Sequence, residues 1–415
     1  NKTDTLQNRS AYFKFYSSSE NTQAIGAKAT IYYQNNHRAM AENYPSRGFQ
    51  SSVDAGIHFG LGPSKSIDSL IISWPNGTIT KKQNLSSNKS YTFKEPSISS
   101  DKLHLDSFKN TDRYIKKVTP FFHFEHKENT FVDFNRERLL PHMSNNEGPA
   151  LTVGDVNGDG ILDVYIGGAK NQSGSLFISH GSKFKEVKEP FEQDFRSEDT
   201  DALFLDTDND GDLDLYICSG GKAFSKYDAL LNDRLYINDH GEFSKVKNQL
   251  PFPKPLSSST VAANDFDKDG DLDLFIGGRF NPELYGLKVS SLILKNNGEN
   301  NFEILDQVEL ENIGMVSDAA WGDINADGWD DLIIAGEWMP IRVFINNKGA
   351  LTEETSEYGF DNYSGMWTSI KITDIDNDGD QDIIGGNIGK NSFYKPGTRM
   401  YIKDFDRNGF AEQII

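Results

Sequence analysis

The chain has very little cysteine and no long hydrophobic segment. Cys218 is the only cysteine among 415 residues, so no disulfide can form within the chain. Its place in the apolar run DLYIC predicts a buried thiol that behaves as a small hydrophobic side chain. No apolar run approaches the roughly 20 residues that a membrane-spanning helix requires. We therefore expect no membrane span, and stabilisation by something other than disulfides.

Positive charge is also scarce. The 42 Lys and Arg residues stand against 62 Asp and Glu, which gives a formal net charge of −20 at pH 7. Such a surface repels phosphate backbones, so a nucleic-acid partner is not expected. The G-x-S-x-G and H-E-x-x-H motifs and a phosphate-binding loop are absent from the sequence. These absences favour a protein that is not an enzyme.

Much of the acidity lies in a nine-residue loop that occurs six times. Oxygen-bearing side chains stand at loop positions 1, 3, 5 and 9, and Gly stands at position 6. The sixth copy departs from the pattern, with Asn at position 5 and Glu at position 9. The copies are DVNGDGILD from Asp155, DTDNDGDLD from Asp206, DFDKDGDLD from Asp265, DINADGWDD from Asp323, DIDNDGDQD from Asp374 and DFDRNGFAE from Asp404.

This spacing predicts Ca²⁺ binding, because alternate oxygens can wrap a hard cation while Gly permits the sharp turn and the carbonyl at position 7 completes the shell. We expect five strong sites and a weaker sixth. The predicted ligands, loop by loop, are Asp155, Asn157, Asp159, Ile161 and Asp163; Asp206, Asp208, Asp210, Asp212 and Asp214; Asp265, Asp267, Asp269, Asp271 and Asp273; Asp323, Asn325, Asp327, Trp329 and Asp331; Asp374, Asp376, Asp378, Asp380 and Asp382; and Asp404, Asp406, Asn408, Phe410 and Glu412.

A helix–loop–helix Ca²⁺ site would need a bidentate Glu at position 12. The first four loops have Ile there and the fifth has Gly. The residues after each loop, such as DVYIGG and DLFIGG, are short β-branched and aromatic runs that end in Gly. Each loop therefore leads into a buried strand.

The loops recur at intervals of 51, 59, 58, 51 and 30 residues, which is the range of stacked supersecondary units such as propeller blades. A second strand and a Gly-containing hairpin follow each of the first four loop strands, as in SLFISHGSKFKEV from Ser175. Four short strands per period indicate a β-propeller, with a β-solenoid as the alternative.

The N-terminal region has a different pattern. AYFKFY, ATIYY, SLIISW and YTF are alternating or apolar runs separated by turn residues, which predicts a small antiparallel β-domain over residues 1–95. Residues 96–118 are rich in Ser, Lys and Asp and are expected to be a linker. Residues 119–415 would then form the propeller, so the fold class is all-β.

Two family resemblances rest on these motifs. The DxDxDGxxD loops, each followed by a strand and Gly, resemble the FG-GAP/VCBS repeats of integrin α-like propellers over about residues 120–415. GAKATIYY from Gly26, RGFQSS from Arg47, HFGLG from His58 and WPNGT from Trp74 resemble an ASPIC/UnbV domain. Such domains accompany these repeats in secreted and surface proteins of bacteria. The resemblance implies a scaffold whose propeller face binds a protein or a glycan, for example within an outer-membrane transporter complex.

The predicted chemistry and the resemblance agree on location. Loops of modest affinity suit millimolar external Ca²⁺, so we expect an extracellular or cell-surface protein. The alternative function is a secreted enzyme that acts on polysaccharide, since the separation of carboxylates is invisible in sequence. The acids to inspect first for such a role would be Glu198, Asp199, Asp201 and Glu337, although Glu337 is better explained as an acceptor of hydrogen bonds from a neighbouring blade.

Two further groups of residues could form sites. Arg47, His58 and Trp74 could line a ligand site in the first domain, although a structural Trp and a His that holds a turn explain them better. His123 and His126, with His142 nearby, raise the alternative of a zinc site. In a strand, residues three apart point to opposite faces, so this pair would converge only in a helix.

The array looks incomplete. The chain begins at Asn1 without a signal peptide and ends inside a predicted strand, so we expect it to be a piece of a longer protein. The loop intervals allow four or five full blades. We therefore predict that the ring closes only with help from missing residues, from residues 120–150 or from another chain.

Overall fold

The computed structural model describes residues 8–17, 20–34, 37–46, 51–96, 122–140, 142–181, 183–247, 250–389, 394, 397–408 and 411–415. The chain divides into two compact units, Asn1–Val118 and Thr119–Ile415. In the described ranges the regular structure is β-strand with a few short 3₁₀ segments, which confirms the all-β class. Apart from Pro96, the predicted linker lies outside the described residues.

The first unit contains two sheets that enclose one core. Its strands are β1 (Arg9–Tyr16), β2 (Lys28–Tyr33), β3 (His37–Glu42), β4 (Ile57–Gly62), β5 (Ser66–Ser73), β6 (Ile79–Ser86) and β7 (Lys89–Lys94). The sheets have the orders β4-β1-β7 and β3-β2-β5-β6.

Period-two alternation explains how these sheets face the core. In β1, Ala11, Phe13 and Phe15 are buried, while the side chains between them are more exposed. The pairing of β1 with β7 is parallel, which differs from the predicted antiparallel arrangement. Because β7 reaches β1 after five intervening strands and not through a hairpin, nothing in the connection forces the two strands to be antiparallel.

In the second unit, the described residues form twenty strands. They are β8 (Leu151–Gly154), β9 (Asp163–Ile166), β10 (Ser175–His180), β11 (Lys183–Val187), β12 (Asp199–Leu205), β13 (Asp214–Ser219), β14 (Arg234–Asp239), β15 (Glu242–Lys245), β16 (Ser258–Asn264), β17 (Asp273–Gly278), β18 (Leu292–Asn296), β19 (Phe302–Ile304), β20 (Met315–Gly322), β21 (Asp331–Met339), β22 (Arg342–Asn346), β23 (Leu351–Glu353), β24 (Gly365–Thr373), β25 (Asp382–Asn387), β26 (Tyr401–Lys403) and β27 (Glu412–Ile414).

The strands form propeller-type blades in chain order. β8–β11, β12–β15, β16–β19 and β20–β23 are four antiparallel blades of four strands each. β24 and β25 form a partial fifth blade, whose β24 also pairs with the end of β21. β26 and β27 form a separate hairpin. The predicted FG-GAP-type architecture is confirmed at this level.

Successive blades pack face to face. Tyr165 and Leu176 of the first blade share a buried cluster with Ala202 and Leu215 of the second. Similar clusters join the second blade to the third, the third to the fourth and the fourth to the fifth. The first strands of consecutive blades are neighbours, so the blades advance in one direction.

The described residues do not close the ring. None of their apolar clusters joins the fifth blade to the first. Leu151 and Val153 on β8 are 60% and 53% exposed, whereas Ala202 and Phe204, at the same positions of β12, are 5% and 8% exposed because the first blade covers them. This agrees with the predicted incomplete array.

Candidate metal centre

Each of the first five acidic loops connects the first strand of a blade to the second, and the sixth connects β26 to β27. In the second blade it runs from Asp206, after β12, to Asp214, which begins β13. The N–H of Gly211 donates to Asp206 Oδ2 at 3.0 Å, and the N–H of Asp212 donates to Asp210 Oδ1 at 2.9 Å. Both bonds recur in the other four complete loops. One repeated sequence therefore folds into one repeated loop.

Positions 4 and 6 of the loops both have left-handed backbone. Gly211 at position 6 has φ +95°, a conformation that favours glycine. Asn209, Lys268 and Ala326 at position 4 have φ between +58° and +62°. The sequence pattern identifies position 6 but gives no signal for position 4, because the residue there varies from loop to loop.

Carboxylates converge within the loops. In the second loop, Asp206, Asp208 and Asp210 each contribute an oxygen, and these oxygens lie within 4.8 Å of one another. In the first and fourth loops the residue at position 3 is Asn157 or Asn325. The corresponding carboxylate groups of the other loops are Asp265, Asp267 and Asp269 in the third, Asp374, Asp376 and Asp382 in the fifth, and Asp404, Asp406 and Glu412 in the sixth.

Several of these oxygens fit a bound cation. Asp206 Oδ1, Asp208 Oδ1 and Asp265 Oδ1 are buried and accept no hydrogen bond. A buried carboxylate oxygen without a partner is costly, and a cation at the centre of the loop would satisfy it. The donor set consists of oxygen atoms, which suits Ca²⁺ better than a transition metal.

The carboxylate at position 9 has a second role. Asp214 is fully buried, and its two oxygens accept the N–H groups of Thr207 in the loop and Asn238 on β14, at 3.0 and 2.8 Å. Burial raises the pKa of Asp214 to about 6. Asp163 and Asp331 make the same pair of backbone bonds. Position 9 thus fixes the first, second and fourth loops to the third strand of their own blades.

The third loop contains a cation from the protein itself. Lys295 Nζ on β18 donates to Asp267 and lies 3.2 Å from Asp269 Oδ2, so it contacts the carboxylates at positions 3 and 5. The same position of β14 and β22 is held by Ile237 and Ile345. The sequence pattern of the loop gives no sign of this lysine, which is 30 residues after the loop begins.

The side chains at position 7 bind neighbouring groups of the protein. Asp271 Oδ1 accepts a bond from Asn209 Nδ2 of the preceding loop at 2.7 Å. Trp329 packs against Lys268, whose Nζ is 4.4 Å from the ring centroid. Position 7 was predicted to bind through its carbonyl, and that prediction is compatible with these contacts. Phe410 of the sixth loop lies outside the described residues.

Asparagines clamp the first three loops to the next blade. Asn296 on β18 is buried, and its Nδ2 donates to the carbonyl of Thr207 in the second loop at 2.8 Å. Asn238 and Asn346 make the same bond to the carbonyls of Val156 and Phe266. Motif analysis misses these residues. Their signal is an Asn that recurs just before the hairpin glycine in three blades.

The four acids considered for catalysis have structural partners. Asp199 pairs with Arg234 Nη2 at 2.6 Å, and Glu337 pairs with Arg279 Nη2 at 2.6 Å. Asp201 Oδ2 accepts the N–H of Val261 in the next blade at 3.0 Å.

Glu198 is the fourth acid. It is buried and accepts a bond from Asn129 Nδ2 at 3.0 Å. Burial, reinforced by the charge of Glu128, raises its pKa to about 8. A raised pKa alone does not identify a catalytic acid.

The other candidate residues do not come together. His126 Nε2 lies 2.9 Å from Glu128, whereas His142 Nε2 lies 3.7 Å from Glu337, and in the described residues no group of metal-ligating side chains includes either histidine or His123. The segment around His126 is not helical, so the geometry does not favour the zinc alternative.

The residues considered for a ligand site in the first unit do not form one among the described residues. Trp74 is buried, and its Nε1–H donates to Thr80 Oγ1 at 2.8 Å, which fits a structural role. His58 is exposed on β4. Arg47 lies outside the described residues.

Comparison with known proteins identifies both units. The family model described as ASPIC and UnbV matches residues 17–100, and the FG-GAP-like repeat model matches residues 155–217, 206–276 and 323–385. The chain is therefore an FG-GAP repeat protein with an ASPIC/UnbV domain. The first five acidic loops lie within these matches.

The comparisons with solved structures and with curated proteins do not extend this family assignment. One solved structure that matches is described as the crystal structure of BBS1N in complex with ARL6DN, soaked with lead. The alignment covers 58% of this chain and 89% of that chain, with 11% sequence identity and a TM-score of 0.25. No curated protein matches the chain. The described residues include no helix with the length and apolarity to cross a bilayer.

Proposed function

We propose that this protein is a Ca²⁺-stabilised β-propeller that binds a protein or a glycan at a cell surface. FG-GAP repeats and an ASPIC/UnbV domain suggest a protein-binding module. The observation that carries the metal assignment is the set of converging carboxylates with buried oxygens that lack partners in the second and third loops. Bound Ca²⁺ would neutralise these carboxylates and hold the loop in one conformation.

The surface that presents the loops is the best candidate for the partner. Ile161 in the first loop is an exposed apolar side chain on this surface, beside the carboxylates. Apolar groups next to charged groups are typical of protein-binding surfaces. A component of an outer-membrane complex is one partner of this kind.

A non-catalytic role is supported by the bonds of the candidate acids. Asp199 and Glu337 are each held by an arginine, and Asp201 joins two blades. A glycosidase needs two carboxyl groups that face a shared cleft. The structural bonds of these acids do not favour that alternative.

Calcium dependence is tested by thermal unfolding with Ca²⁺ and with a chelator. Because metal binds the native state, Ca²⁺ at 100 times its dissociation constant should stabilise by about 2.7 kcal/mol per site. We expect chelation to lower the melting temperature by many degrees. Asp206→Asn with Asp208→Asn should remove part of the Ca²⁺ effect, whereas Asp361→Asn, an exposed acid outside the loops, should not. Superimposable melting curves with and without chelator would contradict the assignment.

The binding surface is tested by site-specific photo-crosslinking in cells that make the protein. A crosslinker at Ile161 should capture a partner when Ca²⁺ is present and lose it on chelation. The control position is Tyr227, which is exposed in the connection between β13 and β14, at the strand ends opposite the loops. Crosslinking at Tyr227 but not at Ile161 would move the binding surface away from the loops.

A further inference from the structure

A cavity of about 910 Å³ opens at the strand ends that lie opposite the acidic loops. Its walls include residues 313–315 at the start of β20, 337–340 at the end of β21, 364–366 at the start of β24 and 397–402 before and within β26. A volume of this size is in the range of small-molecule sites. The cavity contains none of the predicted metal ligands.

Trp338 is held in an unusual conformation in the wall of this cavity. It is the extra residue of a β-bulge where β21 pairs with β24, and its φ is +59°. Its Nε1–H donates to Tyr285 Oη at 2.9 Å, and its ring meets that of Tyr394 edge to face at 5.2 Å between centroids. A left-handed aromatic residue is strained, and strain of this kind concentrates at ligand sites.

Methionine is concentrated in the same place. Four of the six methionines of the chain, Met315, Met339, Met366 and Met400, line the cavity. Methionine side chains are flexible and polarisable, so they adapt to apolar groups of different shape. The walls thus provide an apolar interior with one aromatic side.

Positive charge surrounds this apolar interior. Lys288 and Arg399 are exposed lining residues, and neither has a carboxylate partner among the described residues. Arg342 also lines the cavity. Its Nη1 is 3.4 Å from Glu353 Oε1, while its Nε is buried without a hydrogen-bond partner. Three cations around one cavity are notable in a chain of net charge −20.

The one carboxylate in the lining, Glu337, shares the buried Arg279 with Glu147, which accepts from Arg279 Nε and Nη2 at 2.7 Å. Glu337 Oε1 accepts from Arg279 Nη2 at 2.6 Å, and Glu337 Oε2 accepts from Tyr285 Oη at 2.6 Å. Burial opposes ionisation of Glu337, but the charge of Arg279 together with hydrogen bonds from His142, Tyr285 and Arg279 outweighs it and lowers the pKa of Glu337 to about 2. Lys288, Arg342 and Arg399 outnumber this one carboxylate among the lining residues, so the charge of the lining is positive on balance.

We propose that this cavity binds an amphipathic carboxylate, with the apolar body among the methionines and Trp338 and the carboxylate at Lys288, Arg342 and Arg399. Charge-assisted bonds to arginine favour a carboxylate over a neutral headgroup. The site goes beyond the proposed function, because it lies at the opposite strand ends from the metal loops and uses none of their residues.

The test compares three ligands that share one alkyl chain. Octanoate, 1-octanol and octylammonium are titrated into the full chain, and heat is measured by calorimetry. We expect octanoate to bind about tenfold more tightly than 1-octanol, a ratio set by its contacts with the cations. Octylammonium should bind most weakly. Equal affinity for the three ligands, or no binding of octanoate, would overturn the proposal.

Substitutions of the cations test whether octanoate binds in this cavity. The triple change Lys288→Gln, Arg342→Gln and Arg399→Gln should reduce octanoate affinity about tenfold and leave 1-octanol binding unchanged. Lys371→Gln, an exposed cation on β24, is the charge control.

A second variant blocks the cavity without changing charge. Ser364 is exposed at its edge, so Ser364→Trp should abolish the binding of octanoate and 1-octanol alike. Ser356→Trp, at an exposed turn outside the lining, is the matched control. Melting curves confirm that each variant folds. Octanoate binding that survives both Ser364→Trp and the triple change would show that the ligand binds elsewhere and would overturn the proposal.

Discussion

At the scale of single residues, the same acidic side chain takes different roles according to its burial. Asp206 and Asp208 have buried oxygens without partners and are available to a cation. Asp214, in the same loop, uses both oxygens to hold backbone N–H groups. Asp199 neutralises a buried arginine. Local sequence therefore identifies the acids, and the surrounding packing assigns what each of them binds.

Lys295→Ile should strengthen metal binding in the third loop. The Lys295 ammonium group lies beside Asp267 and Asp269, where a bound Ca²⁺ would also lie. The ammonium group and the Ca²⁺ repel each other because both are positive, so the lysine weakens metal binding. Ile is the residue at this position of β14 and β22. Calorimetric Ca²⁺ titration should show a tighter site in the variant. Lys295→Arg, which keeps the charge, is the control, and weaker binding in Lys295→Ile would contradict the competition.

Glu198→Gln should make the stability of the protein less dependent on pH. Burial raises the pKa of Glu198 to about 8, above its unfolded value, so the folded state favours the neutral acid. Its contribution to stability is therefore lost as pH rises from about 4.5 through 8. We expect the variant to be more stable than the parent by about 1–3 kcal/mol at pH 8.5 and nearly equal at pH 4.5. Chemical denaturation at both pH values measures this difference, and a constant difference would refute it.

At the scale of structural elements, hydrogen bonds between blades supplement apolar packing. Thr200 Oγ1 donates to the carbonyl of Ser258 at 2.8 Å, and Ser259 Oγ donates to that of Val316 at 2.8 Å. The buried asparagines connect blades at the loop end of the same sheets. The second blade is thus tied to the third, and the third to the fourth, near both ends of their strands.

Asn296→Ala should destabilise the second unit by about 1–3 kcal/mol, because it leaves the buried carbonyl of Thr207 without a donor. It should also weaken Ca²⁺ binding to the second loop, whose backbone the Asn296 side chain holds. Urea unfolding and Ca²⁺ titration measure the two effects. Asn301→Ala, at an exposed position five residues later, should change neither. Unchanged stability of Asn296→Ala would show that the clamp is dispensable.

At the scale of the whole molecule, the described part of the blade array leaves the outer face of the first blade uncovered. Val153 of β8 occupies the position that Phe204 occupies in β12, yet Val153 is exposed because no described residue packs over it. The hairpin β26–β27 does not fill this position. Its Gln413 Nε2 donates to Glu137 Oε1 at 3.1 Å, and Ile402 lies against Gly286 of the third blade.

Val153→Lys should therefore be tolerated, while Phe204→Lys should unfold the second unit or lower its melting temperature severely, since it buries a charge between two blades. Thermal unfolding compares the two variants, and sedimentation reports their association state. Severe destabilisation by Val153→Lys would show that another part of the chain or a second copy covers this face in solution.

The sequence by itself determines the acidic loops, the glycine at position 6, the strand that follows each loop and the blade repeat. These features are local, because turn geometry and period-two burial act over a few residues. Tertiary structure alone decides the parallel pairing of β1 with β7, the lysine in the third loop, the asparagine clamps and the cationic cavity. Each of these joins groups that are far apart in the chain, and no local pattern encodes their separation in space.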